Sequence, residues 1–315
     1  MEERNVGRSG LRVSALGLGC NNFGGRLDEA ASARVVHAAL DHGVSLFDTA
    51  DIYPMGRGGL SEEYLGRTLG GRRDEAVIAT KFGMRPTGGS RAGGGSRRFI
   101  VRAVEASLRR LGTDRLDLYQ LHIPDPDTPI DETLAALDDL IRAGKILYAG
   151  CSNFTGWQIA EAHFIAREIG TQRFVSAQNQ WSLTHRRSEA EVLPACRRFG
   201  LGFLPFFPLD GGLLTGKYRS GAPIPEGTRM SGDSPHARKF LTAERLATAD
   251  RLRALAEAGG FGLIDLAFRF LLDEPACCSV IAGASTPEQI ARNAQAAEAA
   301  VPAELLDRAR EITAP

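Results

Sequence analysis

Lysine is scarce in this chain. Of its 38 basic residues only Lys81, Lys145, Lys217 and Lys239 are lysines, which leaves 34 arginines. The 38 acidic residues bring the formal net charge to zero. Without a basic excess the chain lacks the charge that displaces phosphate counterions, which excludes nucleic-acid binding as its main role. Long apolar runs are missing too, and none approaches the ~18 residues that a membrane span needs. The opening Met1-Glu2-Glu3-Arg4-Asn5 carries no apolar signal core, so a cytoplasmic protein is expected. Cysteine is confined to positions 20, 151, 196, 277 and 278, an odd number with no Cys-x-x-Cys spacing. The vicinal pair Cys277-Cys278 is awkward to bridge, so all five read as thiols. The six histidines form no metal-like cluster, and no metal is expected.

What is present is a regular alternation. Short runs rich in Val, Ile, Leu and Phe follow a hairpin at 5–14: 15–19, 45–49, 76–81, 116–120, 148–151, 174–178, 202–206 and 279–282. Helical periods fall between them near 28–42, 60–70, 97–111, 130–143, 155–169, 187–199, 262–273 and 287–299. Ser61 before Glu62-Glu63, Ser96, and Pro287-Glu288 are helix-start signals. Strands apolar on both faces, each followed by a helix, describe a parallel sheet. Eight such units predict an α/β fold of the (β/α)8 TIM barrel type, with an N-terminal β-hairpin. Two further helices, near 243–257 and 303–312, exceed the eight units. No linker divides the chain, so 1–315 reads as a single domain. The glycine-rich stretch 83–95 and the loop 218–240 have the composition of substrate-shaping loops.

A barrel of this kind carries its chemistry where the strands end. The second run ends in Asp48 and leads to Tyr53, the third ends in Lys81, and the fourth leads into His122. The fifth delivers Ser152-Asn153 and the sixth Gln178-Asn179-Gln180. A lysine that closes an apolar strand is hard to explain by packing, because lysine is rarely buried unpaired. An ammonium beside a phenol lowers its pKa, and a carboxylate behind the lysine holds it charged and aimed. Asp48, Lys81 and Tyr53 fit such a proton relay, and His122 fits the role of orienting a substrate oxygen.

These residues stand in stretches that resemble the aldo-keto reductase family. The resemblance rests on Phe47-Asp48-Thr49-Ala50-Asp51-Ile52-Tyr53, Gly59-Leu60-Ser61-Glu62 with Leu65-Gly66, and Thr80-Lys81-Phe82. It continues through Ser107-Leu108-x-x-Leu111-Gly112-x-Asp114-x-x-Asp117-Leu118-x-x-x-His122 and Gly144-Lys145-Ile146-x-Tyr148-x-Gly150-x-Ser152-Asn153-Phe154. Pro208-Leu209-x-Gly211-Gly212-Leu213-Leu214-Thr215-Gly216-Lys217 adds a further block. The resemblance implies reduction of aldehydes or ketones with a nicotinamide cofactor, the catalytic tetrad falling on Asp48, Tyr53, Lys81 and His122. It further implies that Ser152, Asn153 and Gln178 bind the carboxamide and that Phe206 stacks on the ring. Gly19, at the exit of the first strand, and Asp48 are counted with the cofactor contacts. Pro208, Leu209, Gly211, Leu213 and Lys217 would wrap the pyrophosphate. Gly283, Ser285, Gln289, Arg292 and Asn293 would form the adenosine end.

That last stretch lacks the cation which commonly clamps a 2′-phosphate, and Arg292 is the nearest one. The reading favours NADP(H), with NAD(H) as the alternative. Phe23 and Trp181 are the candidate substrate contacts. Trp157 and Phe154 read as helix packing, His37, His42, His163, His185 and His236 as non-catalytic, and Arg97-Arg98 and Arg109-Arg110 as solvated helix faces. Rival nucleotide motifs fail: Gly17-x-Gly19-x-x-Asn22 lacks its third glycine, and Tyr218 replaces the Ser/Thr of a phosphate loop after Gly216-Lys217. No tyrosine has a lysine four residues on. The expected partner is a small carbonyl or alcohol substrate. Two alternatives remain, an NAD-dependent sugar dehydrogenase and a cofactor-binding sensor or accessory subunit on the same fold.

Overall fold

A computed structural model describes residues 1–84, 94–228, 230–231 and 240–314. Strands β1 (Glu3–Asn5) and β2 (Arg12–Ser14) form the antiparallel hairpin. The ring begins with β3 (Leu16–Gly19), α1 (Glu29–Asp41), β4 (Leu46–Asp48), α2 (Leu60–Leu69), β5 (Val77–Phe82) and α3 (Arg97–Leu111). It continues with β6 (Leu116–Leu121), α4 (Ile130–Arg142), β7 (Ile146–Ser152), α5 (Gly156–Ile169), β8 (Ser176–Gln178) and α6 (Val192–Phe199). The last turn comprises β9 (Gly202–Phe203), α7 (Ala243–Ala258), α8 (Leu263–Leu272), β10 (Val280–Gly283), α9 (Pro287–Glu298) and α10 (Ala303–Ile312). The helices α7 and α10 are the two beyond the eight-fold pattern. Eight parallel strands run in the order β10-β3-β4-β5-β6-β7-β8-β9. Parallel bridges Phe203–Cys277 and Phe206–Ile281 join the two ends of the sheet.

The two-residue period of a strand sorts side chains between two cores. Leu46, Ala79, Leu118, Leu204, Cys278 and Ile281 cluster with Val6, Leu11 and Val13 of the hairpin, which plugs the barrel floor. Their strand neighbours Phe47, Ile78, Tyr119, Cys151 and Ala177 pack outward into the helix layer. Two residues beyond Leu46, Ala79 and Leu118 stand Asp48, Lys81 and Gln120, of the same parity and one layer higher. The register aligns Asp48 with Ala79, Lys81 with Gln120 and Ser152 with Gln178.

Several elements depart from their expected form. Ser61 does not cap α2. Gly59 does, at φ 90°, and the Ser61 hydroxyl is buried against Thr49 Oγ1 and the Cys20 carbonyl, both at 2.8 Å. The expected helix 187–199 splits into a 3-10 turn, Arg187–Glu189, and α6. Pro194 explains the break, because it has no N–H for an interior turn and is tolerated only near a helix start. Pro205 likewise limits β9 to two formal residues, since it cannot donate to the ladder. All five cysteines are buried and free. No helix among the described residues is long and apolar enough to cross a membrane.

Candidate active site

The floor of the site is an ion pair. Lys81 is fully buried, and its Nζ donates to both Asp48 oxygens at 2.7 Å and to the Thr49 carbonyl at 2.8 Å. These three bonds use every donor of the ammonium. Gln178 Nε2 adds a fourth contact, donating to Asp48 Oδ1 at 2.8 Å. Burial opposes the charge on Lys81, but the attraction of Asp48, then Tyr53, and the Asp48 hydrogen bonds outweigh it and hold its pKa above 10.5.

Tyr53 reaches this floor from the turn after β4. Thr49 N–H bonds the Ala79 carbonyl and Asp51 N–H the Lys81 carbonyl, which extends the β4–β5 pairing past its last formal residue. Ser61 N–H then bonds the Tyr53 carbonyl at 3.1 Å. The phenol ring centroid lies 5.3 Å from Lys81 Nζ and 5.7 Å from the His122 ring, edge-on. Contrary to the expectation of a lowered pKa, burial lifts that of Tyr53 above 10.0, and Lys81 only moderates the rise. His122 is pushed the other way, to about 3, first by burial and then by Lys81. It is therefore an uncharged imidazole near neutral pH, and its Nδ1 is buried without a hydrogen-bond partner. Cys20, buried beside this group, is held as a thiol by burial and by Asp48.

Above the floor lies a cleft of about 860 Å³. It is lined at one end by Asp48, Tyr53, His122, Ser152, Asn153, Gln178 and Phe206, with Gly19 beside them. Asn153, at φ 60°, anchors the rim by donating from Nδ2 to the His122 carbonyl at 3.0 Å. Pro208, Leu209, Gly211 and Lys217 form the middle, and Gly283, Ser285, Gln289, Arg292 and Asn293 the far end. Leu213 is buried away from it, and Lys81 lies beneath it. The loop 207–217 wraps less freely than expected, because the N–H groups of Asp210, Gly212 and Leu214 already bond carbonyls within it. Gly211 and Gly212, at φ 70° and 107°, let it turn without side chains. A long cleft with cations along its wall, a phenyl face at one end and a glycine at each of Gly19 and Gly283 fits an extended dinucleotide.

Two expected contacts are corrected. Phe23 is fully buried in the outer core, and its neighbours Asn21 and Asn22 line the cleft instead. Trp181 packs on Phe203 and Phe270 and donates to Glu189 at 2.9 Å, behind the barrel wall. Arg110 does not lie on a solvated face, since its guanidinium holds the buried Glu62, which also accepts from Thr80 at 2.6 Å. Phe154 is buried as expected, but Trp157 is exposed. Sequence reading missed Arg26, Met55, Met84, Phe207 and Glu226, all of which line the cleft. They lie on loops, from two (Met84) to 23 (Glu226) residues past a strand end, where no period applies. Lys239, His236 and much of the stretches 83–95 and 218–240 fall outside the described residues.

A parallel β/α barrel with a buried lysine–carboxylate pair under a tyrosine and a neutral histidine defines an oxidoreductase-type site at a barrel rim. The Aldo/keto reductase family model matches residues 15–314, and the chain belongs to that family. It is an oxidoreductase enzyme. It is 37% identical to "Uncharacterized oxidoreductase YrpG" of Bacillus subtilis, over 99% of this chain and 96% of the relative. A "Probable voltage-gated potassium channel subunit beta" of Arabidopsis thaliana is 36% identical, over 95% and 92%. The "L-glyceraldehyde 3-phosphate reductase" of Escherichia coli K12 is 33% identical, over 94% and 87%.

Proposed function

We propose that this protein reduces small aldehydes or ketones to alcohols with a nicotinamide cofactor, NADP(H) in preference to NAD(H). The observation that carries the reading is the fully buried Lys81, clamped by Asp48 below Tyr53 and beside an uncharged His122. A bound reduced nicotinamide supplies the hydride for the carbonyl carbon. Tyr53 donates its phenolic proton to the carbonyl oxygen as negative charge develops there, and the Lys81 charge stabilises the phenolate left behind. The high pKa of Tyr53 keeps that proton in place until the oxygen becomes basic. His122 hydrogen-bonds the same oxygen and orients it without adding charge. Asp48 keeps Lys81 charged and, through Gln178, ties the floor to the rim. Among the described residues Arg26, Lys217 and Arg292 face the cleft against one exposed acid, Glu226, which favours a ligand with several phosphates. Arg292 is shared with Asp265 at 2.6 Å, so its help to an extra phosphate is reduced.

The test compares wild type with Tyr53→Phe, titrating NADPH and NADH separately by tryptophan fluorescence and then assaying a panel of aldehydes. The variant should bind cofactor like wild type and lose turnover by about 10²–10⁴-fold, the range of a removed general acid. Undiminished turnover would sink the tyrosine assignment, and equal affinity for both cofactors would sink the NADP(H) preference. The potassium-channel name of the plant relative motivates a second reading, a cofactor-binding accessory subunit. Tight cofactor binding by wild type with no turnover on any carbonyl would favour it.

A further inference from the structure

Arg292, at the far end of the cleft, is held from behind. Helix α8 starts at Leu263 after Gly262, and Asp265 stands at its third position. One carboxylate oxygen, Oδ2, accepts from the Gly262 N–H at 2.8 Å and caps the helix start. The other, Oδ1, accepts at 2.6 Å from Arg292 Nη1, on the second turn of α9. The pair is partly shielded from solvent, with the Asp265 side chain 13% exposed and that of Arg292 37%. A Cβ at position 262 would lie 2.6 Å from Arg292 Nη2, so the guanidinium rests on bare glycine backbone. Arg292 lines the cleft and Asp265 does not. The same carboxylate thus fixes where the guanidinium sits and opposes its charge.

The neighbours of Arg292 at that end, Ser285, Thr286, Gln289 and Asn293, are uncharged. Two backbone donors there are already engaged: Ser285 N–H bonds Gln289 Oε1 at 2.8 Å, and Gln289 N–H bonds Thr286 Oγ1 at 3.4 Å. The other cleft-lining cations of the described residues belong to other segments. Lys217 Nζ lies beside Gly212, and Arg26 follows Gly25, which packs on Pro54 next to Tyr53. NADP(H) differs from NAD(H) by one phosphate on the adenosine ribose, a group of about −1.5 to −2 charges at neutral pH. Telling the two apart at this end therefore falls to Arg292. A guanidinium grips phosphate through charge-assisted hydrogen bonds, and a carboxylate already on one nitrogen competes for that charge. Only Nη1 is engaged in this way, so further donors remain for a ligand.

We propose that Asp265 is a positioning residue for cofactor specificity: it holds Arg292 at the adenosine ribose, weakens its grip on a 2′-phosphate, and so lowers the preference for NADP(H). The inference rests on the proposed reading of the cleft as a nicotinamide-dinucleotide site. Asp265→Asn raises that preference, because Gly262 still supports the guanidinium and the amide oxygen can still accept from it. What disappears is the negative charge. Its effect reaches the ligand through Arg292, since Asp265 itself stands outside the cleft.

Titrating NADPH and NADH separately into the intact chain, followed by tryptophan fluorescence, gives the ratio of the two affinities. Asp265→Asn should raise the NADPH-to-NADH ratio about 10-fold, the worth of one hydrogen bond to a charged group. Arg292→Gln should lower it about 10-fold, and the double variant should match Arg292→Gln, because Asp265 then has nothing to weaken. Asp265→Glu keeps the charge and the capping acceptor, so its ratio should stay within about 3-fold of wild type. The Asp265→Asn gain should shrink with added salt and below about pH 6, where a phosphate monoester takes up a proton. Circular dichroism verifies folding, since the change also disturbs the Gly262 cap, and Asp265→Ser serves as a second uncharged variant. A ratio that neither uncharged variant moves, or equal changes in both affinities, would overturn the inference and leave the cofactor reading intact. So would a gain that survives in the double variant. Equal wild-type affinities together with the expected gain would sink only the NADP(H) preference. Failure of wild type to bind either cofactor would overturn both.

Discussion

Replacing Asp48 by Asn tests the floor of the site most directly. The substitution keeps the shape and removes the charge that compensates a fully buried ammonium. It also replaces one of the two oxygens that accept from Lys81 Nζ by an amide nitrogen, which cannot accept. Breaking a buried pair from one side costs about 3–5 kcal/mol, because the remaining charge is left desolvated. The pH dependence carries the sharper signature. In wild type the folded pKa of Lys81 lies above its ordinary 10.5. Its contribution to stability is thus complete below that value and is lost only as pH rises through the folded pKa. Without Asp48, burial dominates and the folded pKa drops below 10.5. The unfolded chain then holds the proton more tightly, and stability rises with pH by up to about 1.4 kcal/mol per unit. Urea unfolding of the cofactor-free protein at about pH 7 and about pH 9.5 measures both effects. A loss under about 1 kcal/mol at pH 7, with no rise toward pH 9.5, would refute the assignment of Asp48 as the counter-charge.

Three further outcomes are expected. The His122 ring should stay neutral, with no NMR titration between about pH 5 and 8; a midpoint near 6.5 would contradict its burial beside Lys81. Asp51 is raised to about 7 by burial and by Glu62, and its Oδ1 has no partner. Ionising it in the folded protein costs stability as pH rises from about 4 through 7. Asp51→Asn should therefore gain about 1–2 kcal/mol over wild type at pH 8, a gain that closes near pH 4, and equal stability at both pH values would count against it. Gly66→Ala would add helix propensity in an open helix. Here its Cβ would meet the Leu111 carbonyl oxygen at 2.4 Å across the α2–α3 contact. A lower Tm, equivalent to about 1–3 kcal/mol, is expected, and an unchanged or higher Tm would disprove the close approach.

Much of this architecture is legible in the sequence. Alternating strand and helix periods are local, and a strand's two-residue repeat already assigns Leu46 and Asp48, or Ala79 and Lys81, to one face. With the order of the polar strand ends, that is enough to expect Asp48, Tyr53, Lys81 and His122 at one rim, and the structure brings them together there. Local pattern was weakest in loops and at exposed aromatics. Phe23 and Trp181 look alike in sequence to any cleft-lining aromatic, yet both are packed into the core. Arg110 reads as a surface residue until Glu62, 48 positions away in the chain, is seen beside it.

The sequence by itself determined the barrel, its polar rim and the scarcity of lysine that first drew attention to Lys81. Only the tertiary structure decided how that lysine is used. All three of its donors go to Asp48 and the Thr49 carbonyl, and it acts on Tyr53 through its field rather than through a hydrogen bond. Burial then pushes Tyr53 up and His122 down, because desolvation depends on what packs around a group from distant segments. The same reason turned Trp157 and Phe164 to solvent. A helix's period says which residues share a face, but packing against distant segments decides which face is buried.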